Sequence, residues 1–289
     1  IGLVSFFLAV VFVVVFHNPN GVFLLIIALP ILTSVIVLKL LTSSWRPWQS
    51  RRWSIVLIMA LWVIAFTMVR VDYVGGDLMP KISMRWTSPI EHQVEIADSQ
   101  ASRPPTDTIL VPDNPIEGDW PEFRGPNRDS SAPGVTFDTD WANNPPKELW
   151  RRSVGLGWSS FTVVNGYLFT QEQRGDGEIV VCYRADTGDE VWTNHTSARF
   201  EEPMGSGPRA TPTYAKGQLF TQGGTGVLQC LDAATGDQIW ESDVQSDTNA
   251  PLPPWGFASS PLLASGNVIV FTGAANGKSV IAYDAASGE

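Results

Sequence analysis

Apolar residues are distributed along this chain in two unlike ways. From Ile1 to Val69 they form long runs, Ile1–Phe16, Val22–Leu41 and Ser54–Val69. From about residue 150 onward they sit in short stretches rich in aromatic and β-branched residues, such as Tyr167-Leu168-Phe169-Thr170, Gln218-Leu219-Phe220-Thr221 and Val268-Ile269-Val270-Phe271-Thr272. A bilayer span needs roughly 17–25 apolar residues, so the amino end predicts helical spans, the first of them cut short at Ile1. The short alternating stretches predict β-strands.

The strands recur in a fixed phrase. Its copies are Val180 to Gly188, Val227 to Gly236 and Val280 to Gly288, each an alternating strand followed by an Ala-containing turn and Thr/Ser-Gly. Gly188, Gly236 and Gly288 lie 48 and 52 residues apart, and the turns Asn165-Gly166, Lys216-Gly217 and Ser265-Gly266 lie 51 and 49 apart. Short strands precede each of these turns at Ser160–Val164, Thr211–Tyr214 and Ser260–Leu263, and further strands end at Trp192 and Trp240. Four strands in roughly 50 residues is the period of a propeller blade, a unit that buries its apolar face only by stacking on neighbours. The expected architecture is an all-β propeller of four-stranded blades, about three of them present, preceded by α-helical transmembrane segments. Trp192 and Trp240 each follow their Gly by four positions, which places the next such Trp three residues beyond Glu289 and further repeats after it.

Ala185 to Gly188 with Trp192, Asp232 to Gly236 with Trp240, and Asp284 to Gly288 resemble the tryptophan-docking repeat of pyrroloquinoline-quinone (PQQ)-like β-propellers. The first copy departs from that pattern, with Arg184 where the others carry Asp232 and Asp284. The lead-in Asp119-Trp120-Pro121-Glu122-Phe123-Arg124-Gly125-Pro126 is similar to that of BamB-like propellers. The resemblance implies that Asp232 and Asp284 cap turn amides, that Gly188, Gly236 and Gly288 take positive φ, and that Trp150, Trp192 and Trp240 dock between blades. It implies a protein- or ligand-binding scaffold without chemistry. The alternative is a membrane-bound quinoprotein dehydrogenase that oxidises a sugar or alcohol, holds PQQ with Ca²⁺ and passes electrons to quinone. Soluble quinoprotein alcohol dehydrogenases carry an adjacent Cys-Cys pair, and this chain has none.

Charge orients the two parts. Residues 1–70 contain five basic and no acidic groups, leaving 14 basic against 29 acidic in the remainder. Lys39, Arg46, Arg51 and Arg52 fall in the second connection between apolar runs and none in the first, His17 to Gly21. An excess of Lys and Arg marks the cytoplasmic side, which puts the chain beyond Arg70 in the periplasm of a bacterial inner membrane. The expected divisions are spans in 1–70, a Pro-, Asp- and Ser-rich linker and lead-in in 71–144, and blades in 145–289. The lipid bilayer and a periplasmic protein are the expected partners, and an acidic domain argues against nucleic acid.

Candidate chemistry is sparse. Innermost strands line a propeller's channel, and the register aligns Trp158-Ser159-Ser160, Arg209-Ala210-Thr211 and Ala258-Ser259-Ser260 there. Arg209 either meets the acidic groups of a ligand or ties blades through carbonyl oxygens. Trp255, after Pro251, Pro253 and Pro254, either floors a ligand pocket or fills the channel. No catalytic residue is assigned. His17, His92 and His195 show no metal-ligand spacing, and Cys182 and Cys230, at equivalent blade positions, read as buried small apolar residues rather than a disulfide.

Overall fold

The computed structural model describes residues 21–42, 47–74, 80–87, 109–132, 134–202 and 205–289. They divide into two compact units, 1–88 and 89–289. The run Ile1–Phe16, Trp45, Arg46 and His92 lie outside the described residues.

The first unit contains helices α1 (Gly21–Thr42) and α2 (Trp48–Met68). α2 begins six residues before the expected span, because Pro47, with φ −58°, is already set for a helix start and no breaker follows it. Arg51 and Arg52 therefore lie within the helix rather than in a connection, stacked on Trp48 and Trp53 with guanidinium-to-ring separations of 5.3 and 5.8 Å. Arg51 also donates to the Leu41 carbonyl at 3.2 Å, satisfying a C-terminal acceptor of α1. Farther along, Trp62 Nε1 donates to Thr33 Oγ1 at 3.3 Å. Among the described residues α2 alone is long and apolar enough to cross a membrane; the apolar helical stretch Pro30–Thr42 is shorter. A hairpin follows, β1 (Val69–Val74) with β2 (Pro80–Met84), in a segment expected to be irregular. Val69, Val71, Tyr73 and Val74 had supplied a β-branched and aromatic signal that the Gly75-Gly76 pair obscured.

The second unit is built of antiparallel meanders. Blade one is β3 (Thr162–Val164), β4 (Tyr167–Arg174), β5 (Gly177–Arg184) and β6 (Glu190–Thr196), in that spatial order. Blade two is β7 (Thr213–Ala215), β8 (Gln218–Gln222), β9 (Val227–Asp232) and β10 (Gln238–Asp243), followed by the one-turn helix α3 (Val244–Thr248). The third sheet has β11 (Leu262–Ala264), β12 (Asn267–Phe271) and β13 (Val280–Asp284). The antiparallel propeller-type sheets read from the repeats are what the chain forms. Each first hairpin closes on a two-residue turn in which Asn165, Lys216 and Ser265 take φ near +50° before a glycine, the mirror-image turn that matches strand twist.

One device is used three times, twice between sheets and once, at Trp150, to hold the segment before blade one. The indole N–H of Trp150 donates to Ala185 O at 2.9 Å, that of Trp192 to Ala233 O at 3.2 Å and that of Trp240 to Ala285 O at 2.9 Å. Each ring lies flat on the turn glycine of the following sheet. A Cβ added to Gly188 or Gly236 would stand 2.5 Å from the ring, and one at Gly288 2.7 Å. Two residues after each Trp a side chain reaches the same glycine's carbonyl: Arg152 to Gly188 at 3.3 Å, Asn194 to Gly236 at 3.0 Å, Ser242 to Gly288 at 2.9 Å. In the turns, Asp232 Oδ1 accepts from the amides of Ala234 and Thr235, and Asp284 Oδ1 from Ala286 and Ser287. The Ser287 and Ala286 amides hold the Asp284 carboxyl below its ordinary range.

Nearer the axis a second ladder joins the blades. Ser160 N donates to Thr211 Oγ1 at 3.3 Å and Thr211 N to Ser260 Oγ at 2.9 Å; Thr162 Oγ1 donates to Pro212 O and Thr213 Oγ1 to Pro261 O. Residues 119–128 run across these inner strands as a strap. Trp120 exchanges two 2.8 Å hydrogen bonds with Val163, Pro121 O accepts from Tyr214 N, and Arg128 donates to the carbonyls of Ser260 and Pro261. One short segment thus reaches blade one, blade two and the residues that lead into β11. Cys182 and Cys230 are buried free thiols, each opposite a docking Trp.

Trp192→Ala should cost about 3–5 kcal/mol, the range for deleting a buried large aromatic. Gly236→Ala should also destabilise, since φ is +78° and the ring must move aside. Guanidinium unfolding of the two variants and their double mutant checks this: both act on one contact, so their costs should fall short of additive.

Candidate functional site

The end of the propeller unit that carries the β4–β5 and β8–β9 turns gathers Trp158, Arg209 and Trp255. Trp158 N donates to Pro208 O at 2.8 Å, and its indole lies against Gly205. Phe257 N donates to Gly224 O at 2.9 Å, which seats Trp255 and Gly256 on the β8–β9 turn. Trp158 is 49% exposed and Trp255 57%. Among the described residues Trp255 is thus exposed at this end.

Arg209 is fully engaged. Its guanidinium donates to Glu202 Oε1 at 2.6 Å, to Gly205 O at 2.7 Å and to Gly207 O at 2.6 Å, and it stacks on Phe200 at 4.8 Å. The carbonyls belong to its own connecting loop, not to another blade. An acidic quinone would need a cation free to face it. Here the guanidinium is held by Glu202 and by two carbonyls of its own loop. Among the described residues no three His, Cys, Asp or Glu gather as metal ligands.

Beneath Phe200 lies a polar group that the repeat pattern did not reveal. Glu178, 5% exposed, sits across the β4–β5 pair from Gln173. Its two carboxylate oxygens lie 3.1 Å from the Gly224 amide. Burial pushes the Glu178 carboxyl up to about 7, against the pull of the Gly224 N–H and of Arg209. Gln173 Oε1 accepts from Phe200 N at 2.9 Å, and its buried Nε2 has no partner among the described residues. Glu178 lies beside the β4–β5 turn, outside the repeated phrase that begins at Val180. The only available signal was the glycine pair Gly223-Gly224 one blade later, where an added Cβ would collide with this carboxylate.

A second buried network sits within blade one. Arg174 donates to Glu172 at 2.6 Å and meets Glu190 at 2.9 Å, while Tyr183 donates to Glu172 at 2.5 Å. Glu172 also accepts the Gly155 amide. Burial and the adjacent Glu172 raise the Tyr183 phenol. Burial opposes the charge on Arg174, but Glu172, Tyr183 and Glu190 together hold it protonated. Every member is partnered inside the fold, which suits a structural role. Trp192 and Trp240 likewise lie against Gly236 and Gly288 between sheets, and Trp150 against Gly188 of blade one.

Comparison with known proteins follows these lines. A protein-family model described as "Outer membrane protein assembly factor BamB" matches residues 142–289. No curated protein matches. The quinohemoprotein alcohol dehydrogenase from Comamonas testosteroni is 20% identical with a TM-score of 0.45, the match covering 70% of this chain and 30% of that one. BamB from Moraxella catarrhalis is 14% identical with a TM-score of 0.30, covering 45% and 49%. A quinohemoprotein alcohol dehydrogenase from Pseudomonas putida HK5 is 21% identical with a TM-score of 0.35, covering 46% and 19%. The chain spans less than half the length of each of these three structures.

Arg209→Ala should lower stability by about 3–5 kcal/mol, because it removes the charge partner of Glu202, whose side chain is 7% exposed. Arg209→Lys should recover only part of the loss, since an ammonium cannot reproduce the planar fork. Thermal melts of both variants check the order; wild-type melting of Arg209→Ala would show that the pair is dispensable to the fold.

Proposed function

Because this chain belongs to the PQQ-like propeller family described as outer membrane protein assembly factor BamB, we propose that it is a membrane-anchored scaffold whose propeller binds a protein partner in the periplasm. Exposed tryptophans at one end carry this reading. Trp158 and Trp255 are exposed, while the Arg209 guanidinium is held by its own loop. Tryptophan is enriched at the energetic centres of protein interfaces, where it buries much surface at little conformational cost. A site for a small anion would instead leave its arginine free.

Anchoring is assigned to α2 with α1 packed beside it. Trp48 and Trp53, stacked on Arg51 and Arg52, suit the headgroup layer at the cytoplasmic face. The basic residues between and within α1 and α2, Lys39, Arg51 and Arg52, support a cytoplasmic connection and 71–289 in the periplasm.

Two measurements test this function. A photo-crosslinking residue placed at 158 or 255 should form adducts with a periplasmic protein, and one at the exposed outer-strand position Thr193 should not; equal yields at all three would remove the assigned face. Alkaline phosphatase fused after Asp140 should be active and one fused near Trp48 inactive, the reverse pattern overturning the topology.

A further inference from the structure

The hairpin that follows α2 closes back onto the end of that helix. Arg85 N donates to Met68 O, the carbonyl of the last helical residue, at 2.9 Å, and Arg85 Nε reaches Val69 O at 3.2 Å. From β1, Arg70 holds the same turn through Ser83 Oγ and Thr87 O, each at 2.9 Å. Thr87 donates to Met84 O through its amide at 3.0 Å and through its hydroxyl at 2.7 Å. Residues 84–87 are thus a tight turn fixed to the carboxyl end of α2, where they satisfy one of its terminal acceptors. The backbone of Trp86 stands at the level of the helix terminus.

What this turn presents is out of keeping with a solvated loop. Trp86 is 66% exposed and Met84 44%, and the last turn of α2 adds exposed Phe66 and Met68. Arg85 is exposed as well, and among the described residues its Nε alone is engaged. Residues 69–74 and 80–87 carry Arg70, Lys81 and Arg85 against Asp72, in a chain whose residues beyond 70 hold 14 basic against 29 acidic groups. An indole, apolar in body and polar at its N–H, beside a cation fits a layer that is hydrocarbon on one side and phosphate on the other. Length agrees. The 21 residues of α2 span about 31 Å at roughly 1.5 Å each, against a hydrocarbon layer of about 30 Å.

We infer that the turn at 84–87 is an interfacial anchor: Trp86 and Arg85 seat in the phospholipid headgroup layer of the leaflet opposite Trp48, the indole at the hydrocarbon boundary and the guanidinium on lipid phosphate. The inference rests on the assignment of α2 as the membrane anchor and adds a second point of hold to it. A helix held at one end only is free to tilt and to shift along its axis, whereas aromatic and basic side chains at both ends fix its depth. The hydrogen bond from Arg85 N to Met68 O makes the second hold part of the helix end rather than of a separate loop.

Photo-crosslinking to lipid tests this on the full chain in vesicles of phosphatidylethanolamine and phosphatidylglycerol. Benzoylphenylalanine in place of Trp86 should form phospholipid adducts attached near the glycerol, as located by mass spectrometry. In place of Leu57, midway along α2, it should label deep acyl carbons, and at Thr193 no lipid at all. Arg85→Glu, or Arg85→Gln if the first does not insert, should lower the yield at 86 several-fold and leave that at 57 unchanged. Adducts of position 86 to protein instead of lipid, or no adduct there while 57 still labels acyl chains, overturn the inference and leave α2 as an anchor. Equal yields at 86 with and without Arg85 remove the phosphate contact. Loss of lipid adducts at both 57 and 86 overturns the anchor assignment itself, so the two readings fail by different results.

Discussion

A sheet of three or four short strands cannot bury both of its faces, and everything in the propeller unit depends on how one sheet is pressed onto the next. Here the contact is an indole ring lying flat on a glycine. The ring covers apolar surface of two sheets at once, and its N–H satisfies a turn carbonyl that would otherwise be buried without a donor. Glycine is required twice over, for its positive φ and for the absence of a Cβ where the ring lies. The polar side chain two residues after each Trp then ties the glycine's own carbonyl, so the docking is fixed in rotation as well as in distance.

Most of this framework was legible in the sequence because it is repeated. A Trp four residues after a Gly, an Asp at the head of a turn and a two-residue turn with Asn, Lys or Ser before Gly each occur at a constant offset, and the offset survives insertions in the loops. The first copy, with Arg184 in place of Asp, still folds as a turn because Thr187 Oγ1 takes the Asp189 amide and Arg184 stacks on Tyr167. The polar residue two places after each Trp was equally available, as Arg152, Asn194 and Ser242, but their unlike chemistries concealed a common role.

The exposed end was much less legible, for a physical reason. Its contacts join residues that do not share a repeat position: Glu178 of one hairpin meets Gly224 of another, and Arg209 meets Glu202 in a connecting loop. Periodicity reports what all blades do alike, whereas a binding face is made where blades differ. The sequence could offer Arg209 a ligand or a carbonyl, and only the loop's path decided that its partners were Glu202, Gly205 and Gly207. The β1–β2 hairpin was missed because proline, glycine and aspartate around it outweighed five strand-forming residues.

The strap at 119–128 has a consequence for the order in which the molecule can be assembled. It leaves the ribosome before any blade, yet its last hold, Arg128 on Pro261 O, spans 133 residues of chain. Contacts of such separation are slow to form, since their loop entropy must be overcome before they stabilise anything. Individual meanders close early through neighbouring strands, while the strap waits, its Trp120 and Arg128 without their final partners, until β11 has been synthesised. The segment that looks like a preface in the sequence is thus among the last to be fixed, and the correct stacking of the blades is read out by whether it finds all of them in line.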